Sequence, residues 1–416
     1  MNVQTENNEK VRKCLLLLFG LALLVRLIFS FLSGLPFLTS DSPGYLRTAT
    51  DLLERGELGS YWPPGYPIIV AAVYALFGES AHALIVFNCF LGAITVAFVF
   101  LIARIAVSEV VAKHNGQAVG VLLPAAHYHP TRRHVSAFVP WIAALVVVFH
   151  PNVLNYTRQI LSETLAATLL AAAIYFALET RANLAGLFMG LCLITRPSAL
   201  FITPSIVAIC ALCARPGRRR YAVGNSLLML VLVVFPASLN ASLHAKTFCL
   251  ISNNGPTNVY QAVGINPDKY DIEWKPEVVK GNFPAKPEET AVHYYFRFAA
   301  THRGRFAKQR LLSLYQFFAP WPLGARPVWK KTVFALFRIP TYALATLGVV
   351  CLLRKRHWDL FVAIVGPTVG LALMHTVFYS SGRHIVMVEP LIMVAVALAS
   401  VVLMIRLRRF LSGLRS

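Results

Sequence analysis

From Cys14 to Gly34 the chain reads CLLLLFGLALLVRLIFSFLSG, a single arginine in an otherwise uncharged run. A helix needs about 20 such residues to cross the hydrocarbon core of a bilayer. Nine further apolar stretches follow, so the expected spans are 14–35, 80–105, 137–151, 160–179, 184–195, 198–214, 221–242, 333–353, 358–379 and 388–406. None has the ten-residue alternation of a membrane β-barrel. The fold expected is therefore an all-α polytopic membrane protein with about ten transmembrane helices. Composition agrees: 57% of residues are hydrophobic and 14% charged, against roughly 25% charged in soluble domains. The pair 184–195 and 198–214 is split by TRPS, and proline breaks a helix there. Two partial helices meeting at a bend are an alternative to two full crossings.

The net charge is +21. Much of the lysine and arginine falls in short loops, RPGRRRY (215–221), RKRHW (354–358) and the tail from Arg406, where it sets topology by the positive-inside rule. No aromatic–basic motif for nucleic acid accompanies it, and no nucleic-acid partner is expected. Both termini then lie in the cytoplasm. The outer face receives 36–79, 151–160, 243–332 and 380–387. Three parts follow: an N-terminal transmembrane module, 1–242, carrying the first outer loop 36–79; a large outer loop, 243–332; and a C-terminal transmembrane module, 333–416. In the large loop, ISNNGPTNVYQAVGINPDKY reads as turns. The stretch EETAVHYYFRFAATHRGRFAKQRLLSLYQFF has helical spacing suited to the membrane surface.

The first outer loop opens with Asp41. Tyr45, Ala49, Leu52 and Leu53 then recur near i, i+4, i+7 and i+8, the pattern of an amphipathic interfacial helix. Gly56 stops it, and YWPPGYP makes a rigid turn before the chain returns to the membrane. Asp41 reads as an N-cap, worth ~1 kcal/mol, or as a reactive carboxylate.

Other candidates lie at the same interface. Glu163 sits in an apolar helix, four residues after Gln159 and so on one face with it, as a substrate contact or as the ion-pair partner of Arg196. Arg196 stands at the helix break before Pro197. Arg383 and His384 stand in the last outer turn, and an arginine suits a phosphate through paired contacts. His244 and Lys246 begin the long loop. Arg26, inside the first span, must face the bundle or snorkel. His127, His129 and His134 form HYHPTRRH on the inner side, loosely spaced for a metal. Cys210 and Cys213 form a CxxC without the βαβ setting of a redox motif. A lipid or small-molecule transporter or flippase is the competing class, but no repeated halves support it.

The stretch DSPGYLRTATDLLERGELGSYWPPGYPIIVAAVYALFGES resembles the first outer loop of GT-C membrane glycosyltransferases, nearest glycosyltransferase family 39, with the protein O-mannosyltransferases and lipid A aminoarabinose transferases. QILSETLAATLLAAAIYFA, GLFMGLCLITRPSALFITP, LISNNGPTNVYQAVG and SGRHIVMVEPLIMVAVALA are similar to later segments of that family, in order. The resemblance implies a GT-C fold and an inverting transfer of a sugar from a polyprenyl-phosphate donor to a hydroxyl of a lipid, glycan or protein acceptor. The site would face outward from the inner (cell) membrane. Asp41 matches the family's first-loop general base, and Tyr45, Glu163, Arg196, Lys246, Arg383 and His384 are the substrate-binding candidates. Two departures matter. Ser42 stands where many relatives have a second acid, which leaves a divalent metal open. Trp62 stands where the aminoarabinose branch has lysine before Pro-Pro, which argues against that donor.

Overall fold

The computed structural model describes residues 3–34, 38, 41–114, 130–263, 265–266, 271–272, 289–319, 328–378 and 383–413. It is a helical polytopic membrane protein. The helices are α1 (Val3–Leu32), α2 (Ser42–Arg55), α3 (Gly65–Phe77), α4 (Ala81–His114), α5 (Pro130–Val148), α6 (Pro151–Thr157), α7 (Glu163–Leu178) and α8 (Ala182–Thr195). They continue with α9 (Thr203–Cys213), α10 (Arg219–Ala245), α11 (Gly255–Val263), α12 (Ala291–Thr301), α13 (Arg303–Phe318), α14 (Val328–Arg354), α15 (Trp358–Val377) and α16 (Glu389–Gly413). A two-residue antiparallel pair joins Ile265–Asn266 to Asp271–Ile272.

Each of the ten expected spans carries a helix, but length divides them. Five described helices are long and apolar enough to cross a bilayer: Glu9–Leu32, Ala81–Val110, Pro216–Ala245, Lys331–Arg354 and Trp358–Val377. A sixth would be Phe138–Val148 with Pro151–Thr157, bent by 54°. Pro151 sets that bend, because the residue before a proline is pushed out of helical geometry; His150 is extended there and caps α6 through the Val153 amide. The remaining expected spans are shorter helices, α7, α8, α9 and the Glu389–Met404 part of α16. Prolines 197 and 204 truncate the pair around TRPS. The chain reverses there. Gly186 and Gly190 of α8 pack on Ser226 and Val233 of α10, so those two helices run the same way. The short turn from Cys213 to Arg219 makes α9 return between them. The two segments are thus separate limbs of the bundle.

Small residues set these approaches, and two glycines place the first loop. A Cβ on Gly65 would lie 2.5 Å from Thr195 Oγ1 and 2.9 Å from the Thr195 backbone. A Cβ on Gly44 would lie 2.3 Å from the Trp62 indole nitrogen. The Pro-Pro-Gly turn is therefore seated against the end of α8, and α2 against the tryptophan that precedes the turn.

Several local expectations change. α2 buries Ser42, Tyr45 and Ala49, while Leu53 is 47% exposed and falls outside the buried face. Residues 255–263, read as turns, form α11, because Gly255-Pro256 opens a helix where proline lacks only an N–H that would go unpaired anyway. α7 begins at Glu163, so Gln159 precedes the helix and shares no face of it. His127 and His129 lie outside the described residues, as does the side chain of His134. Arg26 faces the bundle, fully buried, and donates to the carbonyls of Ala22 and Val147 at 3.1 and 3.4 Å. All seven cysteines are free.

Candidate active site

One end of the bundle gathers helix termini that are distant in sequence. The start of α2 brings Asp41, the start of α7 brings Ser162 and Glu163, and the end of α8 brings Arg196. The turn before α16 brings Arg383 and His384. Asp41 occupies the N-cap position of α2 yet makes no capping hydrogen bond with its side chain. Its Oδ2 instead meets Arg383 Nη2 at 2.5 Å. Arg383 Nε lies 3.5 Å from Glu163 Oε1, and Arg196 Nη1 lies 2.9 Å from the same oxygen. Those contacts are close enough for ion pairing, but neither Glu163 oxygen has hydrogen-bond geometry with a donor. Arg196 also donates to Ser162 Oγ at 3.1 Å, and the Tyr45 hydroxyl is 3.5 Å from that oxygen. Of the two readings of Glu163, the ion pair with Arg196 is present, while its side chain stands behind the cavity wall, outside the lining.

The electrostatics alternate in sign. Glu163 is 1% exposed and Asp41 13%. Burial works against the Arg383 cation, but Glu163 and Asp41 outweigh it and hold its pKa above the ordinary arginine value. Burial pushes the Tyr45 phenol up, with Arg196 opposing. Burial, followed by Arg196, His375 and Arg383, holds His384 well below the usual histidine range, so its ring is neutral. Each carboxylate faces a guanidinium, a charge pattern that disfavours a divalent cation between them. The described group whose metal-ligand atoms do converge is Glu109, His357 and Asp359, all within 4.8 Å of one another. It lies where α4 ends and α15 begins, at the opposite end of the bundle.

These groups open onto a cavity of about 660 Å3. Asp41, Tyr45, Arg196, Arg383 and His384 line it, with Tyr61, Trp62, Leu200, Phe201, Met374 and Phe378 as an apolar and aromatic part. Such a mixture of apolar wall and few converging charges is the usual form of a small-molecule site. Asp41, Tyr45, Glu163, Arg196, Arg383 and His384 thus come together, and Lys246 and His244 lie apart from them. Lys246 is exposed at the C-cap of α10, outside the cavity lining. His244 bonds the Asn240 carbonyl instead.

A second ion cluster lies just beyond the turn that carries Arg383 and His384, and sequence reading did not single it out. Glu389 of α16 is fully buried. Its carboxylate accepts from Arg338 of α14 and from Asn152 Nδ2 at 2.8 Å, with His150 Nδ1 at 3.8 Å. Arg338 also donates to the Ala319 carbonyl at 2.8 Å. This knot pins the turn that carries Arg383 and His384. Arg310 of α13 performs a similar task. It donates to the last carbonyls of α15, Val377 and Phe378, at 3.1 and 3.2 Å, and to the Ala262 carbonyl of α11. Orphan carbonyls at a helix end are a favourable place for a cation. Gln309 adds a bond to the Val263 carbonyl at 3.0 Å.

No protein-family model matches the chain, and no curated protein does. Among solved structures, ArnT from Cupriavidus metallidurans in the apo state is similar at 13% identity, covering 89% of this chain and 77% of that one with a TM-score of 0.41. The structure of ArnT from the same organism bound to undecaprenyl phosphate is similar at 12% identity, covering 93% and 77%, also with a TM-score of 0.41. A likeness this distant carries no weight for the chemistry of the site, which stands on the geometry above.

Proposed function

We propose that this cavity is the active site of an inverting GT-C-type glycosyltransferase that takes a sugar from a polyprenyl-phosphate donor to an acceptor hydroxyl. The observation that carries the reading is the pairing of Asp41 with Arg383 inside a cavity that also holds Arg196. A carboxylate within reach of a bound hydroxyl and two guanidiniums within reach of a phosphate are the groups this transfer needs.

In the reaction the acceptor oxygen attacks the anomeric carbon on the face opposite the phosphate. The bond from that carbon to the phosphate oxygen breaks, and the acceptor proton passes to the Asp41 carboxylate. The bond electrons leave with the polyprenyl phosphate, whose growing charge Arg383 and Arg196 offset. A base tied to a guanidinium is a weak base. The donor phosphate therefore competes with Asp41 for Arg383, and binding frees the carboxylate for the acceptor. Glu163 keeps both arginines oriented during that exchange.

The basic loops support placing the site on the membrane face away from the cytoplasm. Arg215 and Arg218 lie between α9 and α10, with Arg219 and Arg220 opening α10, and Lys355 and Arg356 follow Arg354 at the end of α14 before α15. Both groups sit at the end opposite Asp41, which the positive-inside rule assigns to the cytoplasm.

The test is transfer of labelled sugar from a set of polyprenyl-phosphate sugars in membranes containing wild type or Asp41→Asn. Label reaching an acceptor only with wild type supports the reading. Equal transfer by both removes Asp41 from the chemistry. Lipid movement between leaflets with no covalent product replaces the reading with a flippase.

A further inference from the structure

The cavity has a wall that the charged groups do not explain. α11 and the residue before it turn one face toward it: Asn254, Thr257, Asn258 and Gln261 recur at i, i+3, i+4 and i+7, and all four line the cavity. That spacing places them on a single stripe of the helix. The opposite face carries Val259 and Val263, which with Ala262 on the flank pack against Tyr294, Tyr295 and Phe298 of α12. The helix is thus docked by its apolar side and offers its polar side to the cavity. Among the described residues, the side chains of Thr257, Asn258 and Gln261 make no hydrogen bond to protein, whereas Asn254 accepts from Ser252 at 3.0 Å.

The same cavity is lined by Tyr61 and Trp62, whose rings meet edge to face at 5.1 Å, and Trp62 leans on Tyr45 at 4.8 Å. Amides and a hydroxyl donate and accept together, as sugar hydroxyls do. An aromatic face takes the apolar side of a ring while its polar tip stays wet. The charged side chains lining the cavity, among the described residues, are Asp41, Arg196 and Arg383. An ammonium-bearing sugar would meet two guanidiniums, and the one lining carboxylate, released by the phosphate, is engaged by the acceptor hydroxyl. A carboxylate-bearing sugar would compete with its own phosphate for the same two arginines.

We infer that the sugar held beside the phosphate is a neutral one, a hexose or deoxyhexose with hydroxyls and neither amino nor carboxyl group, and that α11 reads its hydroxyls. This rests on the proposed transfer: with the donor phosphate at Arg196 and Arg383, its sugar is one bond away and lies in the same cavity.

Binding to the purified full-length protein in detergent separates this inference from the reading beneath it. The probes are a polyprenyl phosphate without sugar and the same lipid phosphate carrying glucose or mannose, a 4-amino-4-deoxypentose, or a hexuronic acid. The proteins are wild type, Asn258→Ala/Gln261→Ala and Arg383→Ala. The neutral-sugar lipid is expected to bind wild type about tenfold more tightly than the bare phosphate, the worth of one to two net hydrogen bonds. The double variant should lose that advantage while keeping the affinity for the bare phosphate, which also shows that it is folded. If the bare phosphate binds and the neutral sugar adds nothing, or the amino or acidic sugar adds more, the inference is overturned and the transferase reading stands. If the bare phosphate does not bind, or binds equally to Arg383→Ala, the transferase reading fails and this inference with it.

Discussion

Two ion clusters lie at the same end of this bundle, joined through the short turn His384–Met387. On one side of the turn, Arg383 meets Asp41 and Glu163; on the other, Glu389 meets Arg338, Asn152 and His150. Both pair carboxylates with guanidiniums, yet they differ in access and in satisfaction. The Glu389 carboxylate is sealed from solvent and both its oxygens accept hydrogen bonds. The Asp41 cluster opens onto a cavity, and Glu163 within it is held by charge without hydrogen-bond geometry. A charge pair that is buried and whose carboxylate is satisfied at both oxygens fixes structure. One that is reachable and underbonded can trade partners. The difference teaches that composition alone does not separate a staple from a site; access and unspent bonding capacity do.

The comparison can be broken most directly at Asp41. Asp41→Asn should lower transfer by about 10²–10⁴-fold, the usual worth of a general base, while leaving the melting temperature in detergent nearly unchanged. A loss of stability larger than the loss of activity would erase the distinction between the clusters. The reverse pattern is expected at the sealed pair. Glu389→Ala strands Arg338 in the interior and should cost about 3–5 kcal/mol of stability, seen as a large fall in thermal unfolding temperature and in folded yield. Arg196→Lys keeps the charge but loses the planar fork. It should raise the KM for the lipid donor by roughly tenfold with kcat less affected, and steady-state kinetics at varied donor would read the split.

The smallest effect concerns pH. His384 is neutral in the folded protein, its pKa held below 6.5 by burial and then by the neighbouring cations. The unfolded chain takes up a proton there as pH falls below about 6.5, and the folded chain does not. Stability from this residue is therefore full above that pH and declines beneath it, by at most ~1.4 kcal/mol per pH unit. His384→Gln should narrow the difference between melting temperatures at pH 7 and pH 5; an unchanged difference would mean that the ring titrates normally.

Much of the scaffold was legible in the chain because hydropathy is a local signal. Each apolar stretch is a helix, and the helical spacing after Asp41 and across 289–319 is realised as α2, α12 and α13. Span length was less legible, since proline at 151, 197 and 204 bends or shortens helices that a hydropathy count treats as whole. α11 was hidden because Asn, Gly and Pro signal turns, and the same residues also open helices. Of the site, residues with unusual settings stood out: Asp41 after a span, Glu163 inside one, and Arg196 and Arg383 beside breaks. The knot around Glu389 did not. Its partners Arg338 and Asn152 are 51 and 237 residues away, and no local pattern announces such a pairing. Lys246 was proposed from its place at the start of a loop, but the end of α10 leaves it exposed.

The way α11 is fastened has a consequence for how such a protein diversifies. Arg310 and Gln309 grip it through the main-chain oxygens of Ala262 and Val263, which every amino acid possesses. The helix stays in place when the side chains it presents inward at 257, 258 and 261 change. Mutation at those three positions can explore new cargo without loosening the scaffold, whereas change at Asp41, Glu163, Arg196 or Arg383 disturbs an interlocked set. The molecule thus keeps its evolutionary freedom on one surface and its constraint on another.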